Sequence, residues 1–76
     1  MITVLLFGMI KDIIGNNALV MHEVNDTNEL VDKLQSIYPR LTESNYVIAV
    51  DRNIIQENTM LQQNAEVALL PPFSGG

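Results

Sequence analysis

Residues 25–39, NDTNELVDKLQSIYP, read as an amphipathic helix with both ends marked, and they decide how the rest of the chain is organised. Asp26 or Thr27 serves as N-cap, and Glu29 sits near the third position, where a capping box needs an acid. Leu30, Leu34 and either Ile37 or Tyr38 fall on one stripe, and Pro39 stops the helix because it cannot donate the next backbone bond. Asp26, Glu29 and Asp32 resemble a metal cluster in composition only. As capping and solvated-face groups they need no ion, and nothing else in the sequence converges on them.

Outward from this helix the periodicity changes from 3.6 to 2. On the N-terminal side, 2–7 (ITVLLF) places Ile2, Val4 and Leu6 on one side of a strand and Thr3, Leu5 and Phe7 on the other. Gly8 closes that strand, and MIKDIIG reads as a short helical turn ending at Gly15, where a left-handed residue suits glycine. The segment 18–24 (ALVMHEV) is a second strand, pairing back on the first as a hairpin. On the C-terminal side, YVIAV is a third strand, and DRN turns into the short II. NTMLQQN is a turn with Asn64 suited to a left-handed conformation, and AEVALL is a final strand.

Two strands, a helix across the sheet and a last strand returning beside the first make the α+β β-grasp pattern, ubiquitin-like in outline. The sheet is expected to be mixed, with about five strands and one main helix packed across it. A right-handed crossover makes the first and last strands parallel neighbours at the sheet centre, in keeping with their apolar content. The expected division is 1–70 as the β-grasp domain and 71–76 as an extended C-terminal tail.

Composition narrows the function. A chain of 76 residues is one small domain that buries roughly 60% of its unfolded surface, which leaves little room for a deep private active site. The apolar fraction of 47% is that of a folded protein, and the four methionines are assigned to core filling. Nine acidic against four basic side chains give a net charge of −5, which repels phosphate backbones and favours a basic or apolar partner over nucleic acid. With no cysteine there is no disulfide, thiolate metal site or cysteine nucleophile, which suits the cytoplasm. The apolar start MITVLLFGMI lacks a basic region, meets Lys11, and falls far short of the ~20 residues of a membrane span. His22 is read as a strand residue without a catalytic role. The four glycines lack phosphate-loop spacing, and no nucleophile, base and orienting group can be assembled.

What remains is the end of the sequence, 69–76, LLPPFSGG. Pro71 and Pro72 fix their φ angles and hold the exit extended. From Pro71 to Gly76 the reach is roughly 20 Å at about 3.3–3.6 Å per residue. Phe73 is one aromatic anchor, Ser74 is small, and Gly75 and Gly76 carry no Cβ. The last residues thus fit a passage too narrow for side chains, with residues past Phe73 mobile until a partner orders them. The carboxylate of Gly76 is a poor electrophile and reacts only after conversion to an acyl adenylate. If Thr3 and Glu66 face water, Leu5, Phe7, Ala68 and Leu70 share that side beside the tail root and form a partner-binding patch.

MITVLLFGMIKDIIG, TNELVDKL, VIAVDRNII and above all EVALLPPFSGG resemble the small, sulfur-carrying subunit of molybdopterin synthase, across essentially the whole chain. The resemblance implies that Gly76 is adenylated by a ubiquitin-activating-type adenylyltransferase using ATP, then converted to a thiocarboxylate. It implies that the large subunit's pocket receives Pro71 to Gly76, and that two such sulfurs complete the dithiolene of molybdopterin on cyclic pyranopterin monophosphate. It also implies a heterotetramer of two large and two small subunits, with no stably bound cofactor and no catalysis by the small subunit alone. Asp51 stands where the family usually has asparagine, QNAEV replaces a Gly-Asp-Glu turn, and Lys11-Asp12 replaces Arg-Glu; these are turn or surface changes that leave the tail chemistry intact. Lacking cysteine, such a carrier holds sulfur only at its C-terminus. The alternatives are a sulfur carrier of thiamine or tRNA thiolation pathways, against which the Pro71-Pro72 pair argues for the thiamine case, and a ubiquitin-like modifier joined through Gly76 to lysines. Lysine conjugates on many proteins would mark the modifier, and one stable large partner the synthase subunit.

Overall fold

A computed structural model describes residues 1–72. The elements run β1 (Ile2–Leu6), α1 (Gly8–Ile14), β2 (Ala18–Met21), α2 (Thr27–Ile37), a 3-10 turn (Pro39–Glu43), β3 (Val47–Val50), β4 (Asn53–Ile55) and β5 (Glu66–Leu70). The strands form one mixed sheet in the order β2-β1-β5-β3-β4. Only β1 and β5 are parallel, with Thr3 opposite Glu66 and Leu6 opposite Leu69; every other neighbour is antiparallel. This is the β-grasp arrangement expected from the order of periodicities.

The core lies between α2 and one face of the sheet. Alternation along β1 and β5 turns Ile2, Val4, Leu6, Val67 and Leu69 inward, all at most 3% exposed, against Leu30 and Leu34 of the helix. Leu41 of the 3-10 turn and Ile10 of α1 close the end of the core where β1 and β5 finish. Pro39 therefore does more than stop α2: it opens the 3-10 turn that carries Leu41 inward.

The start of α2 resolves the sequence alternatives. Asp26 is the N-cap, its Oδ1 accepting the Glu29 N–H at 2.8 Å, while Glu29 Oε1 reaches back to the Asn25 N–H at 3.1 Å, one residue beyond the usual capping box. Thr27, 2% exposed, instead staples the loop before β5 to the helix. Its Oγ1 accepts the Thr59 N–H at 3.0 Å and donates to Asn58 Oδ1 at 3.3 Å, and its N–H donates to the Thr59 carbonyl at 3.0 Å. Tyr38 completes the apolar stripe, and Ile37 points to solvent at 64% exposure.

Two sequence expectations need correction, and the turn expected at DRN is tighter than its residues announce. The second strand ends at Met21; His22 and Glu23 are exposed, and the positive φ of Glu23, 61°, turns the chain toward α2. Methionine is not core filler here, since Met1, Met9 and Met60 are 56%, 69% and 70% exposed and only Met21 is buried. The β3-β4 turn places both central residues, Asp51 and Arg52, at positive φ (47° and 73°), the pattern of a tight hairpin that favours Asn-Gly. The sequence offered no glycine to announce it. Asp51 offsets part of that strain by tying the turn to β5, its N–H donating to the Glu66 carbonyl at 2.8 Å and its Oδ1 accepting the Glu66 N–H at 3.0 Å. Gly15 (φ 84°) and Asn64 (φ 67°) adopt the left-handed conformations expected of them.

Two substitutions test these points with opposite signs. Arg52→Gly relieves a side chain held in the left-handed region and is expected to stabilise the protein by about 1 kcal/mol, a rise of about 4–8 °C in Tm; an unchanged or lower Tm by calorimetry counts against the strained turn. Thr27→Val keeps the shape but removes both Oγ1 bonds and is expected to cost about 1–3 kcal/mol in urea unfolding at constant slope. An unchanged midpoint would show that the staple carries no stability.

Candidate functional site

The parallel pairing of β1 and β5 brings the ends of both strands to one edge of the domain. The Phe7 N–H donates to the Leu69 carbonyl at 3.2 Å. The alternation of a parallel ladder would next ask residue 71 to donate to the Phe7 carbonyl, but proline has no N–H. That carbonyl instead accepts the Lys11 N–H at 3.4 Å, so the ladder stops and α1 starts at the same place. Pro71 is half-buried there and Pro72 is exposed. Two concavities flank this root: one of about 450 Å³ bordered by Leu5, Phe7, Lys11 and Ala18, and one of about 330 Å³ bordered by Met9, Glu43, Asn45, Pro71 and Pro72.

Among the described residues no element covers the sheet face opposite α2, because the single long helix is spent on the other side. Register places Leu5 beside Ala68, Ala68 beside Ala49, and Leu70 beside Val47 on this open face, with Thr3 and Glu66 paired farther from the root. Phe7 extends the surface past the end of β1 at 43% exposure. The four residues expected to form a partner-binding patch, Phe7, Leu5, Leu70 and Ala68, are thus brought together next to the tail root. Sequence reading missed the half of this face that β3 and β4 supply, including Val47, Ala49 and Ile54, the last 62% exposed. Alternation within each segment could have assigned their sides, but only the strand order puts them on the same surface.

Pro71 and Pro72 stand where the sequence put them, at the exit from the middle of the sheet. Phe73, Ser74, Gly75 and Gly76, the rest of the expected tail, lie outside the described residues, as does their expected mobility. Asp26 and Glu29 are engaged in capping, Asp32 is exposed on α2, and His22 is exposed beyond β2. Among the described residues no three His, Asp or Glu side chains gather in a way that would hold a metal ion. No helix among them is long and apolar enough to cross a membrane. The described surface offers an apolar face beside the exit of the chain from β5 through Pro71 and Pro72.

The chain matches the model of the ThiS family over residues 4–76. It is 31% identical over 80 residues to a molybdopterin synthase sulfur carrier subunit of Dictyostelium discoideum, with 96% of this chain and 93% of that protein covered. A protein of the same name from Mycobacterium tuberculosis is 34% identical, with 99% and 96% covered. Among solved structures, small archaeal modifier protein 1 of Methanosarcina acetivorans superimposes with a TM-score of 0.82 at 23% identity, over 99% of this chain and 95% of that one, a likeness of fold. In the complex of subunits 1 and 2 of the molybdopterin-converting factor from Helicobacter pylori, one chain matches with a TM-score of 0.73 at 29% identity, over 99% of this chain and 97% of its own length. With the β1-β5 pairing, the open apolar face and the proline exit all falling inside a match that runs nearly the full length, the chain belongs to the ThiS family.

Proposed function

We propose that this protein is the sulfur carrier subunit of a molybdopterin synthase. The observation that carries the reading is identity of 31–34% over nearly the whole chain to proteins of that name, and the apolar face beside the tail root gives it a physical basis. In this role the carboxylate of Gly76 attacks the α-phosphate of ATP on a ubiquitin-activating-type adenylyltransferase, releasing pyrophosphate and leaving an acyl adenylate. A sulfur nucleophile then displaces AMP to give a thiocarboxylate. Docked in the large subunit, the thiocarboxylate sulfur forms a C–S bond at a side-chain carbon of cyclic pyranopterin monophosphate as a C–O bond of that carbon breaks and its oxygen leaves; water then cleaves the resulting thioester, so that sulfur stays on the pterin and Gly76 is freed as a carboxylate. Two such deliveries complete the molybdopterin dithiolene.

The chain's own part is to bind, reach and present. Leu5, Phe7, Ala68 and Leu70 lie against the large subunit, where burying them removes apolar surface from water without any change in the fold. Pro71 and Pro72 lower the entropy lost when Phe73, Ser74, Gly75 and Gly76 enter the partner's passage. Two small subunits and two large ones form the proposed assembly, supported as regards the large partner by the two-subunit Helicobacter pylori complex. The modifier reading ranks second, since the likeness to an archaeal modifier protein is one of fold at 23% identity.

Phe7→Ala is expected to leave the fold intact and to weaken large-subunit binding by about 1–4 kcal/mol in calorimetric titration; unchanged affinity removes Phe7 from the docking surface. Adding one residue after Gly76 moves the reactive carbon by up to about 3.6 Å, and Gly76→Ala adds a Cβ in the narrow passage. Both variants are expected to bind the large subunit yet lose on the order of 100-fold in thiocarboxylate formation, read by intact mass, and in single-turnover product formation. An unprocessed extended chain that takes up sulfur and turns over at the parent rate would overturn the assignment.

A further inference from the structure

The two glycines among the described residues with left-handed backbones differ in their surroundings. A Cβ at Gly15 (φ 84°) would meet nothing within 4 Å. A Cβ at Gly8 (φ 60°) would sit 3.2, 3.5 and 3.6 Å from the Cγ, Cδ and Cβ of Pro71. Three carbons of one ring at such distances mean that the proline ring lies against the bare Cα of Gly8, and a methyl there would bring the ring's Cγ, at 3.2 Å, inside the ~3.5–4.0 Å optimum for carbon contacts. Gly15 answers to conformation alone. Gly8 answers to conformation and to close approach.

This contact sits where the ladder ends. Pro71 has no backbone N–H to donate, and the Phe7 carbonyl that would have received one is taken by Lys11. The first residue beyond β5 thus lacks the next ladder bond and has its ring against Gly8. We infer that Gly8 is a positioning residue for the tail: by letting the Pro71 ring dock on the corner between β1 and α1, it sets the direction in which the chain leaves β5 through Pro71 and Pro72. This rests on the sulfur-carrier reading for its consequence, but not for its geometry. Four residues reach at most about 13–14 Å past Pro72, so the direction and place of the root bound where Gly76 can be presented. Misplacement on the order of 1 Å at a reacting group can cost about 100-fold in rate.

The test compares Gly8→Ala with Gly15→Ala, which imposes the same kind of backbone strain with no neighbour to push. Since the chain has no cysteine, spin labels at Asp32→Cys and Pro72→Cys, both exposed positions, report one distance distribution by electron-electron resonance. Both glycine variants are expected to lower Tm to a similar degree. Gly8→Ala alone is expected to shift or broaden the label distribution by 2 Å or more, and in unlabelled protein to slow single-turnover sulfur transfer at least 10-fold with large-subunit affinity unchanged. A label distribution that superimposes on the parent's, or a transfer rate equal to that of Gly15→Ala, overturns the inference. Failure of the parent chain itself to take up sulfur strikes the sulfur-carrier reading instead, and the distance measurement then decides the role of Gly8 alone.

Discussion

The parallel pairing of β1 with β5 is the constraint on which the rest of this structure depends. Parallel neighbours cannot be joined by a tight turn, so the chain between them must cross over the sheet. Here it does so with α2, whose buried stripe of Leu30 and Leu34 meets the inward residues of both strands. The same pairing brings the C-terminal ends of the first and last strands to one edge. The backbone leaving β5 thus emerges from the interior of a five-stranded sheet, anchored by the Phe7 to Leu69 bond, and not from a frayed margin.

A small chain with one long helix can cover only one face of its sheet. The other face keeps Leu5, Ala68, Leu70 and Val47 as a half-buried apolar surface around the buried Ala49, flanked by Phe7 and Ile54. Such a surface is a liability in an isolated monomer and an asset in a complex. In the proposed role the liability is answered by the large subunit, and the net charge of −5 opposes self-association of the free chain.

Polar groups do the remaining structural work at a few points. The long connection from β4 to β5 has little apolar content, and it is held by backbone and side-chain bonds to the start of α2: Thr27 to Asn58 and Thr59, and the Leu61 N–H to the Asn25 carbonyl at 2.8 Å. No buried side-chain nitrogen or oxygen is left without a partner among the described residues. The connection therefore stays pinned although it contributes few core residues.

Local chemistry was enough to read the elements. The cap and stripe of α2, the alternation of β1 and β5, and the left-handed positions of Gly15 and Asn64 follow from interactions within a few residues of each other, and so did the order of strands and helices that specifies the β-grasp fold. Of the motif Pro-Pro-Phe-Ser-Gly-Gly the structure describes Pro71 and Pro72, which leave the middle of the sheet as expected. What the tertiary structure decided depends on residues far apart in the chain. The partnership of Thr27 with Asn58 and Thr59, the union of Val47, Ala49 and Ile54 with the faces of β1 and β5, and the seat of Pro71 on Gly8 have no local signature. Gly8 read simply as the end of a strand. The exposure of Met1, Met9 and Met60 was equally hidden, since a methionine is suited to a core gap and only the packed fold shows whether a gap is there.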